Sequence, residues 1–188
     1  QILNVAKTRT CDRMMACGGS NTVVCSVIAM DRENMYYRAC TVCERTLPDS
    51  PASHCSFCSR YHNISTASTL SPFKRLFRLM VSIATNVKVI NVICFDRAAR
   101  VMLGCSADEF YNFVELHPSA GCSACKILEG EMFEMILSKP KNGNAQHLRV
   151  SSIKPLRTDF RPVMNTLQQR YKDSCSTENR DRGLVSHA

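Results

Sequence analysis

Two cysteine pairs constrain this chain more than any other feature of its sequence. Cys40 and Cys43 form one C-x2-C pair, and Cys55 and Cys58 form a second after eleven intervening residues. Two such pairs can surround one tetrahedral ion with four thiolates, at about 2.3 Å for each Zn–S bond. The segment 40–62 is short of aliphatic residues, so it needs another means of folding, and a bound metal supplies one. The sequence therefore predicts one structural zinc ion per chain; two redox dithiols and incidental cysteines are the alternatives.

The other cysteines, of twelve in all, do not indicate a secreted disulfide scaffold. Cys25, Cys94 and Cys105 lie in apolar segments, where a thiol acts as a small hydrophobe. Residues 1–16 lack the apolar core of a signal peptide, and a reducing compartment fits the pattern better. A third pair, formed by Cys122 and Cys125, has no partner cysteines nearby and no βαβ context, so the sequence assigns it neither a metal nor a redox role.

Hydrophobic periodicity predicts a mainly β fold with helices. In the segment 73–84, apolar residues alternate with polar ones, so that Phe77, Leu79, Val81 and Ile83 share one face of a half-buried strand. The order of elements is strand, cysteine-rich insert, two strands, helix, two strands and helix, which is the order of a five-stranded OB barrel. The strands are expected at 22–30, 73–84, 87–95, 131–138 and 147–154, with a further short strand starting at 35–39.

Capping signals locate the helices. Asp96 is expected to cap a helix that ends near Gly104. Ser106 and Glu109 form a capping box for a helix that ends at about Leu116. A further one or two helical turns are expected at 123–129, and helical spacing predicts a last helix at 159–172.

These elements divide the chain into four parts. Residues 1–21 are an N-terminal extension, and residues 22–157 are the OB-fold domain, with a zinc ribbon of two short strands and a turn inserted at 38–62. Residues 158–172 form a C-terminal interaction helix. The polar tail, 173–188, is expected to be disordered.

The charge distribution suits a polyanionic partner. The net charge is +8, and residues 106–134, with six acidic and one basic side chain, separate two basic blocks. No apolar run approaches the roughly 18 residues that a membrane span needs, so a membrane partner is not expected. The sequence has no glycine-rich phosphate loop, no matched pair of carboxylates and no nucleophile–base constellation, and it therefore predicts no enzyme.

Four segments together resemble the C-terminal domain of the large subunit of replication protein A. They are 37–43 and 55–58, which carry the cysteine pairs, the strand 73–83, and 94–109. Positions that match the family pattern are Tyr37, Ala39, Phe95, Leu103 and Gly104. The turn 84–87 is shorter than usual and has no glycine, and 44–46 lacks the usual lysines, which indicates a divergent relative.

The resemblance covers about residues 20–172 and implies an OB fold with an inserted zinc ribbon, single-stranded DNA binding and a place in the nucleus. Non-specific single-strand binding combines a cationic groove with aromatic stacking platforms. For each aromatic ring, the alternative to DNA binding is packing in the core, and for each cation it is a charge exposed to solvent. Phe95 lies on an apolar face and is assigned to the core. The predicted DNA-binding residues are Arg75, Arg78, Lys88, Phe57, Tyr61, Phe73, Phe133 and Arg149.

The last predicted helix carries an apolar stripe formed by Val163, Leu167 and Tyr171. In the family that the chain resembles, this helix packs against helices of partner subunits. The resemblance therefore implies other OB-fold subunits as partners and gives an alternative function, a subunit-assembly module with little direct DNA contact. Packing of the stripe on the chain's own strands is equally compatible with the sequence.

Overall fold

The structure is a computed structural model that describes residues 21–50, 55–61, 73–140 and 146–181. Within these ranges the chain forms six strands and five helices. In chain order they are β1 (Asn21–Met30), β2 (Tyr36–Cys40), α1 (Ser56–Tyr61), β3 (Phe73–Thr85), β4 (Val89–Phe95), α2 (Asp96–Leu103), α3 (Ala107–Leu116), α4 (Ala120–Leu128), β5 (Met132–Ser138), β6 (Leu148–Pro155) and α5 (Val163–Asp181).

Five of the strands are joined in a closed ring of pairings. β1 pairs with both β3 and β5, β5 pairs with β6, and β3 pairs with β4, all antiparallel. β4 and β6 pair in parallel and complete the ring. β2 lies outside this ring, antiparallel to the first half of β3. In the sequence, helices α2, α3 and α4 come between β4 and β5, the third and fourth ring strands along the chain. This confirms the predicted order of elements.

The alternation predicted for β3 defines the core inside the ring. Phe77, Leu79, Val81 and Ile83 are fully buried, and the residues between them face outward. Burial of such side chains stabilises the fold by about 1.5–3 kcal/mol each. The predicted strand position is confirmed, because a side-chain period of two fixes which face of a strand is buried.

Two of the three predicted helix caps agree with the structure. Gly104 ends α2 with φ of 76°, and Ser106 and Glu109 form the capping box at the start of α3. The predicted Asp96 cap is wrong, because α2 starts at Asp96 itself and Phe95 occupies the cap position without a side-chain hydrogen bond. The Asp96 carboxylate instead binds Arg100 at 2.8 Å.

The last helix differs from its prediction at both ends. It begins at Val163, directly after Pro162, whose carbonyl oxygen accepts hydrogen bonds from the first turn. It continues to Asp181, nine residues beyond its predicted end at residue 172. Its polar residues support the helix, since the Gln169 amide donates to Asp173 at 2.8 Å, an i,i+4 pair.

The apolar stripe of α5 packs inside the chain's own core. Val163 and Leu167 are fully buried, and Tyr171 is half-buried. The prediction that Val163 and Leu167 bind a partner is therefore wrong, because packing on α2 and α4 already covers them. Nearly all of the predicted N-terminal extension, the turn at 141–144 and residues 182–188 lie outside the described residues.

Candidate metal centre and nucleic-acid interface

The first cysteine pair lies in a tight turn at the end of β2. Register with β3 places Cys40 opposite Phe73. The backbone N–H of Glu44 donates to the Cys40 carbonyl at 3.0 Å, and the Cys40 N–H donates to the Arg45 carbonyl at 2.9 Å. Glu44 adopts φ of 57°, in the left-handed region, which reverses the chain. This turn directs Cys40 and Cys43 toward the same point.

The second cysteine pair belongs to a helical turn. Cys55 immediately precedes α1, and Cys58 lies within it. The predicted ribbon of two short strands is therefore wrong in its second half. In the first half, a single bridge between Ala39 and Thr46 is the only strand pairing among the described residues of the insert apart from β2. Residues 51–54 and 62 lie outside the described part of the chain.

The four cysteines converge into one cluster. Their sulfur atoms all lie within 4.8 Å of one another. Cys43 and Cys55 are 3.5 Å apart at sulfur, and Cys40 and Cys58 are 3.7 Å apart. A tetrahedron with Zn–S bonds of about 2.3 Å has sulfur–sulfur edges of about 3.8 Å. The sulfur positions therefore fit a tetrahedral ion, and the cluster could bind a metal.

The electrostatics of the cluster also suit a cation. Backbone N–H groups of α1, above all that of Cys58, lower the pKa of Cys55 to about 7. Burial, followed by the neighbouring sulfurs, raises the pKa of Cys58 to about 12. Four sulfurs this close cannot all be thiolates without a positive charge between them, and metal ligation supplies that charge.

The surroundings of the cluster contain few apolar contacts. Leu47 is the one aliphatic side chain buried with the cysteines among the described residues, and Phe57 and Phe73 pack at its edge. The guanidinium of Arg45 covers the Phe57 ring at 3.7 Å, and that of Arg38 covers the Phe73 ring at 3.9 Å. A core this small stabilises little by burial, and a metal bound by the cluster would add to the stability of the insert.

Four residues that the sequence analysis named lie side by side on the outer face of the sheet. Arg78 on β3 is directly opposite Phe95 on β4. The guanidinium of Arg149, on β6, lies 5.0 Å from the centre of the Phe95 ring. On the other side, the ring of Tyr37 meets that of Phe95 edge-on at 6.4 Å. We call Tyr37, Arg78, Phe95 and Arg149 the arginine–aromatic face.

Exposure distinguishes the cations of this region. Arg78 is exposed and makes no ion pair within the described residues. Arg75 is half-buried, donates to the Asp108 carboxylate at 3.1 Å and stacks on the ring of Tyr111 at 3.7 Å. Lys88 is exposed in the turn between β3 and β4. Arg78 is thus available to an anion, whereas Arg75 already has an anionic partner.

The aromatic rings predicted to stack on bases differ in how deeply they are buried. Phe133 is fully buried and packs against Phe160 at 5.2 Å between ring centres, so its prediction as a stacking residue is wrong. Phe57 and Phe73 are half-buried, with one face of each ring covered by an arginine. The side chain of Tyr61 lies outside the described part of the structure. Tyr171 stacks on the ring of His117 at 4.3 Å.

Sequence reasoning missed Phe95 and Tyr37 as surface aromatics. Phe95 was assigned to the core, yet it is half-buried and faces outward. The sequence of β4 is apolar at six of its seven positions, so it carries no alternation that would separate the two faces. In the structure Val92 and Cys94 are fully buried, and their neighbour Phe95 points the other way. The side chain of Phe95 then lies above the sheet rather than within it.

None of the helices described in the structure is long and apolar enough to cross a lipid bilayer.

Comparison with known proteins identifies similar solved structures. No family model and no curated protein sequence matches the chain. The fold is similar to that of a chain in a replication protein A heterotrimer bound to ssDNA, with 17% identity and a TM-score of 0.59 over 82% of this chain and 34% of the other. It is also similar to a chain of yeast RPA bound to ssDNA, with 16% identity and a TM-score of 0.59 over 92% of each chain. The chain thus spans about a third of the length of the first of these chains. The resemblance to replication protein A is confirmed at the level of the fold.

Proposed function

We propose that this chain is a single-stranded DNA-binding OB-fold module of a replication-protein-A-like protein that acts in the nucleus, in DNA replication, repair or recombination. The observation that carries the proposal is the arginine–aromatic face, which crosses β3, β4 and β6. The role proposed is one of binding and not of catalysis. Two solved structures with a similar fold are of replication protein A bound to ssDNA, which supports the same ligand.

The pairings of the strands support an OB barrel. The ring of β1, β3, β4, β6 and β5 is closed, with a single parallel pair between β4 and β6. Register shifts between β1 and β3 and between β5 and β6 supply bulges, which bend strands as barrel closure requires. In a barrel of this kind the outer surface of the middle strands is a known place for nucleic acid to bind.

The arginine–aromatic face contains both groups that a single strand needs. Exposed Arg78 and half-buried Arg149 would contact phosphates, and the ring of Phe95, with Tyr37 at its edge, would stack a base. Stacking on an aromatic ring contributes about 1–3 kcal/mol per base and accepts any base. We therefore expect binding without strong sequence preference, and a preference for single strands, because duplex bases are not free to stack.

Fluorescence anisotropy with a labelled oligothymidine and a matched duplex tests this proposal. We expect the single strand to bind more tightly, and Phe95→Leu to weaken it by about fivefold or more, the lower end of a stacking contribution. Leucine keeps the apolar bulk above the sheet, so thermal stability should change little. Equal binding of duplex and single strand, or full affinity in Phe95→Leu, would reject the proposal.

The cysteine cluster is proposed to be a structural zinc site with Cys40, Cys43, Cys55 and Cys58 as its ligands. The sulfur separations and the small apolar content of the insert support this assignment. Zinc bound by four thiolates has no open position for water, so the ion would stabilise the insert rather than react. By ordering the insert, the ion would also hold the side chain of Arg38 in place, because the Arg38 guanidinium donates to the carbonyls of Pro48 and Ser50 in the insert.

A second candidate function is docking of other OB-fold subunits beside α5. Val163 and Leu167 are not available for it, but Tyr171 and Phe113 line a shallow groove between α3 and α5, where Leu116 is 76% exposed. Leu116 and the two half-buried rings line adjoining parts of this groove, and contiguous apolar surface of this kind is where partner proteins bind. Co-expression with a partner subunit and Leu116→Asp tests this function: docking predicts loss of co-purification with DNA binding retained.

A further inference from the structure

The third cysteine pair lies in the first two turns of α4 and belongs to neither candidate site above. Cys122 is exposed and Cys125 is half-buried. The two residues are three positions apart in a helix, so their side chains are on the same face, one above the other. Helix α4 packs against β1, α3 and α5, whereas the four-cysteine cluster lies on β2 and α1.

The end of β1 and the turn after it contact both sulfurs, each through a different group. The guanidinium of Arg32 donates a hydrogen bond to the sulfur of Cys122. The thiol of Cys125 donates to the carbonyl oxygen of Met30 at 3.5 Å. This contact places a positive charge directly against the exposed sulfur of Cys122. Burial raises the pKa of Cys125 and so keeps it a thiol. Cys122, exposed beside a cation, is thus placed to attack a disulfide. Cys125, half-buried one turn away, is placed to resolve the mixed disulfide that results.

The local backbone can accommodate a bond between these sulfurs. Cys122 and Cys125 lie inside α4, where residues three apart have Cα atoms about 5 Å from each other. A disulfide joins Cα atoms about 4.4–6.8 Å apart, so the backbone separation of this pair is within the required range. Gly121 adds no side chain beside Cys122, and a Cβ at Gly121 would meet nothing within 4 Å.

Other uses of these cysteines have less support. Among the residues that the structure describes, only the four-cysteine cluster gathers three or more metal-binding side chains. Cys25 and Cys94 are buried in the core, and burial raises the pKa of Cys105 to about 12. Of the described cysteines outside the cluster, the α4 pair is thus the one with an exposed sulfur and a second thiol in reach.

We propose that Cys122 and Cys125 form a reversible dithiol–disulfide site that exchanges with low-molecular-weight disulfides, independently of the metal cluster and of DNA binding. The Cys122 thiolate attacks one sulfur of the small disulfide, whose S–S bond breaks and releases one thiolate. Cys125 then loses its proton and attacks the Cys122 sulfur, and the second small thiolate leaves. The chain is oxidised by two electrons, and the small disulfide is reduced to two thiols.

Oxidised glutathione is the probe that tests this site, with the full chain held in zinc-containing buffer without chelator. After thiol trapping, peptide mass spectrometry should find a disulfide between Cys122 and Cys125 that dithiothreitol reverses. Cys125→Ser should stop at a glutathione adduct on Cys122, because the resolving thiol is gone. Cys122→Ser should leave Cys125 reduced.

Two arginine variants test whether Cys122 reacts because Arg32 contacts it or only because its sulfur is exposed. Arg32→Gln should slow the reaction of Cys122 by about threefold or more, since it removes the positive charge that contacts the attacking sulfur. Arg97→Gln, which removes an exposed arginine from α2, is the matched control and should leave the rate unchanged. Absence of the disulfide in folded protein, a disulfide with another cysteine, or equal rates in the two arginine variants would overturn the proposal.

Discussion

Arg78 on β3 lies directly opposite Phe95 on β4, and both side chains are on the outer face of the sheet. Directly opposed residues of an antiparallel pair have Cβ atoms about 4.5–5.5 Å apart, so the cation and the ring are neighbours by register alone. Arg149 on β6 then adds a second cation on the far side of the same ring. One aromatic ring between two arginines is an arrangement that one stacked nucleotide and its adjoining phosphates can occupy.

Charge reversal at Arg78 should therefore weaken single-strand binding. We expect Arg78→Glu to lower the affinity about tenfold and to reduce the salt dependence by roughly 0.7 in the slope of log K against log salt, the contribution of one phosphate. Titrations at several salt concentrations measure both values. Lys126→Glu, on the exposed side of α4, is the matched control. An equal loss in both variants would mean that net charge, and not this face, determines binding.

Replacement of one cluster cysteine should remove the metal and spare the ring of strands. Protein purified without chelator should contain about one equivalent of zinc, and Cys40→Ser should contain almost none. The insert depends on its ligands for stability, whereas the core inside the ring is built from other residues, so far-UV circular dichroism should retain the strand signal. Cys105→Ser is the control and should keep its zinc. Full zinc content in Cys40→Ser would contradict the proposed site.

Gly104 should not tolerate a side chain. Its φ of 76° is in the left-handed region, and a Cβ there would overlap the ring of Pro162 at the start of α5. We expect Gly104→Ala to lower the free energy of unfolding by about 1–2 kcal/mol from the backbone alone, with a further loss from the overlap. Gly121→Ala is the matched control, because its Cβ would meet nothing and alanine favours the helix by up to about 1 kcal/mol. Denaturant unfolding of both variants measures the difference.

The capping box should make α3 sensitive to pH. Hydrogen bonds from the Ser106 side chain and backbone hold the pKa of Glu109 below its ordinary value. The charged carboxylate thus stabilises the fold above the unfolded pKa, and this contribution is lost as the pH falls through the folded pKa. We expect Glu109→Gln to lower the melting temperature at pH 7 and to lower it less at pH 3.

Glu115→Gln is the control for the capping box. Glu115 is at the opposite end of α3, where a negative charge is unfavourable to the helix dipole. Its replacement should leave the melting temperature at pH 7 unchanged or slightly higher. A Glu109→Gln effect of equal size at both pH values would show that the charge of Glu109 is not responsible.

Local patterns in the sequence were sufficient for the elements that a single segment determines. The alternation in β3 gave the buried face, and the spacing of Ser106 and Glu109 gave the start of α3. The four cluster cysteines were also predictable, because two pairs at this spacing have few ways to converge. Each of these features depends on residues that are close in the chain or of one chemical type, so the sequence alone is enough to predict it.

Features that depend on contacts between distant segments were not predictable in this way. An apolar stripe such as Val163 and Leu167 reads the same whether a partner or the chain's own α2 and α4 cover it. The half-exposed Phe95 and the buried Phe133 exchange their predicted roles, because register and ring closure decide which face of each strand meets the core. The approach of Arg32 to Cys122 links residues 90 positions apart, which no local pattern encodes.

The buried stripe of α5 leads to a last prediction, that the helix is required for the stability of the chain itself. Leu167 is fully buried, and its truncation leaves a cavity, so we expect Leu167→Ala to lower the free energy of unfolding by about 2–5 kcal/mol. Gln168→Ala, one exposed position further along, should change it by less than about 0.5 kcal/mol. Urea unfolding of the isolated chain measures both values. A stable Leu167→Ala chain that fails only to capture a partner subunit would restore the stripe as an interface, because a residue that packs in the core must affect folding when no partner is present.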